Sequence, residues 1–309
     1  MIGFLPMKAQ NTKVIKTPLE RFKDLPDYNF DANYIEIDNG LEMHYIDEGD
    51  KENPVILLVH GEPSWSFIYR NMVPLLVKAG YRVVAPDLIG FGKSDKFTGF
   101  EPYTYTNHTK WLRQFIEKLG LKEVKLYAHD WGAMISLRIV AQHEYLFSHV
   151  IISDGFLFTG KENIPESFIG WVNFAKNDTA FQAGTVMNWA TNKNLSQDII
   201  EAYNAPYPNE DYMFGLRVFP DLIPIVESDD EAKLNLILRD QLKTVDIPFL
   251  TVWGDNKDEM WTGKDAILQL EINGAKNIDH QIINAHHFLQ EDEPILLSKI
   301  ILDFVRESK

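Results

Sequence analysis

Four apolar runs, each strand-length and spaced about a helix apart, constrain this chain more than any other feature. They are Val55-Ile-Leu-Leu-Val59, Arg82-Val-Val-Ala85, Val124-Lys-Leu-Tyr-Ala128 and Val150-Ile-Ile152. Near-continuous runs of this kind belong to strands covered on both faces, not to a sheet with one face in water. Between them the spacing predicts helices over Phe67 to Lys78, Tyr105 to Leu119 and Trp131 to Gln142, with Gly80 and Gly120 placed to end the first two. Strand–helix–strand alternation specifies a mostly parallel, twisted sheet with helices on both faces. Upstream, Tyr34-Ile-Glu-Ile-Asp38 and Leu41-Glu-Met-His-Tyr-Ile46 flank Asn39-Gly40, a hairpin turn, so an antiparallel pair leads into the sheet.

The alternation stops after Asp154. Residues 156–228 carry scattered prolines and many aromatics but no buried-strand run, the pattern of a helical insertion. It resumes at Pro248-Phe-Leu-Thr-Val-Trp253, followed by a helix near Lys264 to Leu270, a short strand at Gln281-Ile-Ile283 and a closing helix from Pro294 to Arg306. The expected organisation is a core of residues 1–155 and 229–309 carrying a helical cap of residues 156–228. A chain of 309 residues can bury such a core without staples, and the lack of cysteine closes disulfide, zinc-thiolate and iron–sulfur readings. The formal net charge of −15 and the thin spread of Lys and Arg argue against nucleic acid and against an anionic membrane. No stretch reaches the ~20 apolar residues of a membrane helix. Met1 to Met7 lacks the basic region and cleavage site of a signal peptide, so the expectation is a cytoplasmic protein.

Chemistry in such sheets sits at the carboxyl ends of the strands. The strand ending at Ala128 runs through His129-Asp130-Trp131-Gly132 straight into a helix. That is the place of the nucleophile elbow of the α/β-hydrolase fold, whose small flanking residues allow a sharp turn. Here its apex is Asp130. A carboxylate is already anionic at neutral pH and suits attack on a tetrahedral carbon bearing a leaving group, giving an ester of the enzyme's own side chain. Water must then attack that ester, which calls for a base and an oxyanion hole. The plainer reading of Asp130 is an N-cap of the following helix.

Other residues favour the nucleophile. In this fold the order is nucleophile, acid, histidine. Asn284-Ala-His-His-Phe288 follows the last strand and offers His287 as the base, with His286 as the alternative. For the orienting acid, Trp253-Gly-Asp255-Asn-Lys-Asp258 supplies two carboxylates, and Asp154 at the end of the strand after the elbow helix supplies a third. Asp258 is the choice by distance from its strand end, with Asp255 and Asp154 as alternatives; any of them could be a turn-forming aspartate. The oxyanion donors fall to the backbone N–H groups of Trp131 and of Glu62, the latter in His60-Gly61-Glu62-Pro63 after the first buried strand.

Together these residues resemble the haloalkane dehalogenases over nearly the whole chain, from Leu25-Pro-Asp-Tyr-Asn-Phe30 to the last helix. The likeness is densest in His60-Gly-Glu-Pro-Ser-Trp-Ser-Phe-Ile-Tyr-Arg70, Ala85-Pro-Asp-Leu-Ile-Gly-Phe-Gly-Lys-Ser-Asp95, Asp130-Trp-Gly132 and His287-Phe-Leu-Gln-Glu291. Tyr203-Asn-Ala-Pro-Tyr-Pro208 and Gly215-Leu-Arg217 extend it into the cap. Glu62 and the placement of the acid point to the subfamily with an Asp-His-Asp triad. The resemblance implies that two indole N–H groups hold the leaving halide, Trp131 and, from Phe168-Ile-Gly-Trp171, Trp171, with Phe168 in the pocket wall. Indole donates without accepting and keeps water from a weakly hydrated anion. Substrate, water and halide are then the only reaction partners, with no metal and no organic cofactor.

The chain departs from that family in three places. His129 stands where this subfamily often has Gln, His286 where it commonly has Gly, and the loop carrying Asp258 is a residue or two longer than usual. A related subfamily places its acid, a glutamate, at the position of Asp154. The nearest rival is an epoxide hydrolase, whose alkoxide leaving group needs cap tyrosines as proton donors; the cap has Tyr203, Tyr207 and Tyr212 but not the Tyr-Tyr-Arg cluster of that family. A non-catalytic binding protein of the same fold is the rival from another class.

Overall fold

A computed structural model of the chain describes residues 12–38, 40–255 and 259–307. Met1 to Met7, Asn39 and Asp258 lie outside those described residues.

Eight strands form the main sheet: β1 (Asn33–Glu36), β2 (Glu42–Glu48), β3 (Val55–Val59), β4 (Arg82–Pro86), β5 (Val124–His129), β6 (Phe147–Ser153), β7 (Phe249–Gly254) and β8 (Gln281–Ile283). Their order across the sheet is β8-β7-β6-β5-β3-β4-β2-β1. Strands β1, β2 and β4 pair antiparallel and all the other neighbours pair parallel. The expected antiparallel lead-in is therefore present. All five residues of β3 are buried, as the unbroken apolar run required.

Successive residues of these strands feed two separate cores. Leu57, Val59, Leu126, Ala128, Val150 and Ile152 pack with residues of α2 (Tyr105–Lys118) and α3 (Trp131–His143). Ile56, Leu58, Tyr127 and Ile151 pack on the other face, with α1 (Val73–Lys78) and the C-terminal α11 (Pro294–Glu307). The predicted helix over Phe67 to Lys78 comes out shorter, because Pro74 in its first turn cannot donate a backbone N–H. A 3-10 turn, Ser66–Tyr69, takes the first part. Gly80 (φ +93°) and Gly120 (φ +64°) end their helices in the left-handed conformation that glycine adopts without strain.

Between Ser153 and Phe249 the regular elements are helical: α4 (Glu166–Asn177), α5 (Ala183–Trp189), α6 (Gln197–Asn204), α7 (Phe214–Val218) and α8 (Asp230–Leu242), with short 3-10 turns. Helix α8 joins α3 through Arg138, which donates to Asn235 Oδ1 at 2.7 Å and pairs with Glu231 at 2.6 Å. Helix α6 is pinned to the core by Tyr203, whose hydroxyl bonds Glu291. After β7 come α9 (Lys264–Glu271) and, past β8, the short α10 (Leu289–Asp292). Among the described residues no helix is long and apolar enough to cross a membrane.

The chain leaves β3 for β4 on one side, then crosses back so that β5 lies on the other side of β3. The strand order thus reverses between β3 and β5, and such switch points open a crevice at the strands' carboxyl ends. Glu62 follows β3 and Asp130 follows β5, so the sequence delivers both to that crevice.

Candidate active site

Asp130 turns the chain from β5 into α3 with φ 52° and ψ −125°. L-residues avoid that region at a cost on the order of 1–3 kcal/mol, and here backbone bonds on either side hold it. The Asp130 N–H donates to Ser153 O at 3.1 Å, and its carbonyl accepts from Met134 N at 2.9 Å. The turn leaves no room beside it. A Cβ on Gly132 would stand 2.4 Å from the carbonyl oxygens of Val59 and His60, and one on Gly61 would stand 2.3 Å from Asp130 Oδ1. The Asp130 side chain makes no capping bond to α3, which removes the N-cap reading.

Its carboxylate is instead held by the loop after β3. The Glu62 N–H donates to Asp130 Oδ1 at 2.8 Å. His60 shapes that loop: its Nε2 accepts from Leu88 N at 2.9 Å, which leaves Nδ1 as the donor to Gly61 O, also at 2.9 Å. His60 is fully buried and burial pushes its pKa down, so the ring is neutral and works as a brace.

Across the crevice, His287 Nε2 lies 3.7 Å from Asp130 Oδ2, and His287 Nδ1 lies 2.9 Å from Asp154 Oδ2. Among the described residues the carboxylate on His287 Nδ1 is thus that of Asp154, the alternative at the end of β6, beside the elbow strand. Asp258, the choice by spacing, lies outside the described residues. Asp255 is exposed, and its N–H continues the β7–β8 pairing by donating to Ile283 O at 2.8 Å. His286 is also exposed, with its N–H on Asp292 Oδ2 at 2.8 Å.

Burial pushes the Asp130 carboxyl up, but the nearby imidazole of His287, with the Trp131 N–H, outweighs it and leaves the pKa below the ordinary carboxylate value. For His287, burial pushes down while the nearby Asp130 carboxylate and the hydrogen-bonded Asp154 carboxylate push harder upward, to about 10. The resting pair is therefore carboxylate and imidazolium. The Glu62 carboxyl is buried beside Asp130, and burial first, then that neighbouring charge, push it well above the ordinary value, toward its neutral form.

These groups open onto a cavity of about 620 Å³. Trp131 and the half-buried Trp171 both line it, as does Phe168, 8 % exposed, so each aromatic picked from the sequence reaches the site. Neither indole N–H donates to another described residue. Tyr203, Tyr207 and Tyr212 are absent from the described lining. Sequence reasoning missed Trp189 at the exposed lip and Trp261, whose ring stacks on His287 at 6.0 Å with 8° between planes. An aromatic three residues beyond Asp258 was the available signal for Trp261.

Among the described residues one cluster has metal-ligand character: His129, Asp154 and His287, with donor atoms within 4.8 Å of one another. Two of its ring nitrogens are already engaged. His287 Nδ1 bonds Asp154, and His129 Nε2 bonds the His287 carbonyl at 2.7 Å. That is the geometry of an oriented imidazole.

Residues 54–294 match the family model described as the alpha/beta hydrolase fold. The chain is 40% identical to a haloalkane dehalogenase of Psychrobacter cryohalolentis over 96% of its own length and 99% of that protein's. It is also 40% identical to one of Mycobacterium marinum, over 93% and 98%. Among solved structures, a tetrameric haloalkane dehalogenase of Paraglaciecola agarilytica NO2 superposes with a TM-score of 0.87 at 32% identity, covering 94% of this chain and 98% of that one.

Proposed function

This chain belongs to the haloalkane dehalogenases of the α/β-hydrolase fold, hydrolases acting on carbon–halide bonds, and from that premise we propose that Asp130 is its nucleophile, His287 its base and Asp154 the acid that orients the base. The observation that carries the assignment is a carboxylate at the elbow with an imidazole 3.7 Å away, itself held by a second carboxylate at 2.9 Å.

Asp130 attacks the halogen-bearing carbon in line. The C–O bond forms as the carbon–halogen bond breaks, and the halide leaves with the bonding pair toward the N–H groups of Trp131 and Trp171. The product is an alkyl ester on Asp130. Esterification removes one of the two negative charges that hold the proton on His287, so the imidazole gives up that proton at the stage where a base is needed. His287 Nε2 then takes a proton from a water adding to the aspartyl carbonyl. The backbone N–H groups of Glu62 and Trp131 hold the resulting oxyanion. Collapse frees the alcohol and the Asp130 carboxylate. The balance is haloalkane and water to alcohol, halide and a proton.

Residues 156–228 act as the cap over a core of 1–155 and 229–309, and the cap supplies Phe168, Trp171 and Trp189 to the cavity wall. A volume of about 620 Å³ lies in the range of sites for drug-sized ligands. It suits elongated or ring-bearing halogenated hydrocarbons better than two-carbon ones. Epoxide opening is disfavoured because no cap tyrosine among the described lining residues faces the leaving-group side. The test is halide release from a panel of bromo- and chloroalkanes, run beside styrene oxide. Halide release without diol formation is expected; diol formation without halide release overturns the reading. Trp171→Phe should raise KM and lower kcat/KM for chloroalkanes about tenfold or more, the loss of one hydrogen bond to an anion. Unchanged constants would remove Trp171 from halide binding.

A further inference from the structure

His129, the residue before the nucleophile, has no part in the chemistry above, yet it is fully buried against the base. Its Nε2 lies 2.7 Å from the backbone carbonyl oxygen of His287, and the two rings are 4.5 Å apart. A carbonyl oxygen only accepts, so the proton of His129 sits on Nε2, and Nδ1 is a buried acceptor without a partner among the described residues. Burial, reinforced by the charge on His287, pushes the pKa of His129 down to about 3, which keeps it in this single-donor form. Its own backbone is fixed, because His129 is the last paired residue of β5, in register with Ser153 of β6.

The His287 side of the bond is less firmly built. The chain there has left β8, and its nearest supports are Ala285 N on Ile283 O at 2.8 Å, His286 N on Asp292 Oδ2 at 2.8 Å and two long bonds, Phe288 N on Ala190 O at 3.3 Å and Leu289 N on His287 O at 3.2 Å. Asp154 fixes one ring nitrogen but lets the ring pivot about that bond. Trp261 covers a face without directing Nε2.

We propose that His129 is a positioning residue for His287. Its Nε2–H ties the carbonyl of the base's own residue to the elbow strand, so that nucleophile and base are set by one rigid piece of backbone. The inference rests on the roles given above to Asp130 and His287. Its consequence is confined to one step. Alkylation uses Asp130, which β5 and the Glu62 N–H hold regardless; ester hydrolysis uses Nε2 of His287, where a misplacement on the order of 1 Å costs roughly 10²-fold.

His129→Leu removes the donor at similar volume. His129→Gln restores an N–H the same number of bonds from Cα, whereas Asn is one carbon too short. Each would be run with a bromoalkane in rapid-quench halide release and in mass analysis of the Asp130 peptide. For His129→Leu the expected result is a first-turnover burst of halide at the wild-type rate, then a steady state slower by about 10- to 100-fold. The alkyl ester should accumulate on Asp130, and kcat and KM should fall together, leaving kcat/KM near wild type. His129→Gln should lie within a few-fold of wild type in every readout. If His129→Leu does not fold, His129→Asn against His129→Gln makes the same comparison. Loss of kcat without ester accumulation, equal loss in kcat/KM, or failure of Gln to restore the rate overturns the proposal. Wild-type enzyme in the same assay separates the two levels: no halide release there refutes the roles of Asp130 and His287 themselves.

Discussion

Asp154→Asn keeps the shape of a side chain and removes its charge. In the native site Asp154 Oδ2 accepts from His287 Nδ1 at 2.9 Å, with the aspartate side chain 2 % exposed. A buried hydrogen bond to a charged group is worth about 1.5–3 kcal/mol, and ester hydrolysis puts a full positive charge on the imidazole in its transition state. At 3 kcal/mol the step slows roughly 150-fold. An asparagine can also present its NH₂ to Nδ1, which would place the ring proton on Nε2, where the base must be bare. In serine proteases this exchange, with its wrong tautomer, costs about 10⁴-fold. The expected fall in kcat therefore lies between about 10² and 10⁴. Alkylation should proceed, because Asp130 keeps its bond from Glu62 N at 2.8 Å. Steady-state halide release gives the fall, and mass analysis of quenched enzyme gives the ester on Asp130. Hydrolysis at the wild-type rate in Asp154→Asn would refute the assignment, as would loss of hydrolysis on changing Asp255 or Asp258 to Asn instead.

Two further outcomes follow from the same geometry. The Asp130 carboxyl is held below the ordinary carboxylate range, so kcat/KM for alkylation should stay flat as pH falls toward about 4. A limb centred at about pH 6 would contradict this. His287 sits near 10 while flanked by two carboxylates, and the ester removes one, so kcat should rise with pH through a midpoint below 10; a midpoint at 10 would mean that esterification does not release the proton. Arg70 and Glu291, each 4 % exposed, pair bidentately at 2.5 and 3.0 Å, and Glu291 also takes the Tyr203 hydroxyl of the cap. Arg70→Ala strands a buried carboxylate and should cost about 3–5 kcal/mol in urea unfolding; a loss under about 1 kcal/mol would refute the clamp.

The sheet was legible because β3, β4 and β5 are buried on both faces and so read as near-continuous apolar runs. The elbow was legible because strand, small flanking residues and helix follow in direct succession. Helix α8 was not, since Leu236 (40 % exposed) and Ile237 (57 % exposed) put apolar residues on its outer face and blur the periodicity, while a buried Arg138 replaces part of its apolar contact. The acid was left open for a different reason. Asp154, Asp255 and Asp258 all follow strands, and which of them meets His287 depends on how β6 lies beside β5, a fact of the sheet and not of local spacing. Asp154 also takes φ 39°, a left-handed conformation that the following glycine hints at without requiring. Trp189 and Trp261 join the site only through tertiary folding, one from the cap and one from the loop after β7. The role of His129 was invisible for the same reason: its partner is 158 residues away.

The central claim is that water attacks the carbonyl of an Asp130 ester and never the substrate carbon. Isotopic oxygen tests it on the unmodified enzyme. In a single turnover in ¹⁸O-water the alcohol should carry ordinary oxygen, taken from Asp130, and after many turnovers the Asp130 carboxylate itself should carry ¹⁸O. Label in the alcohol from the first turnover, with Asp130 unlabelled, would contradict the account.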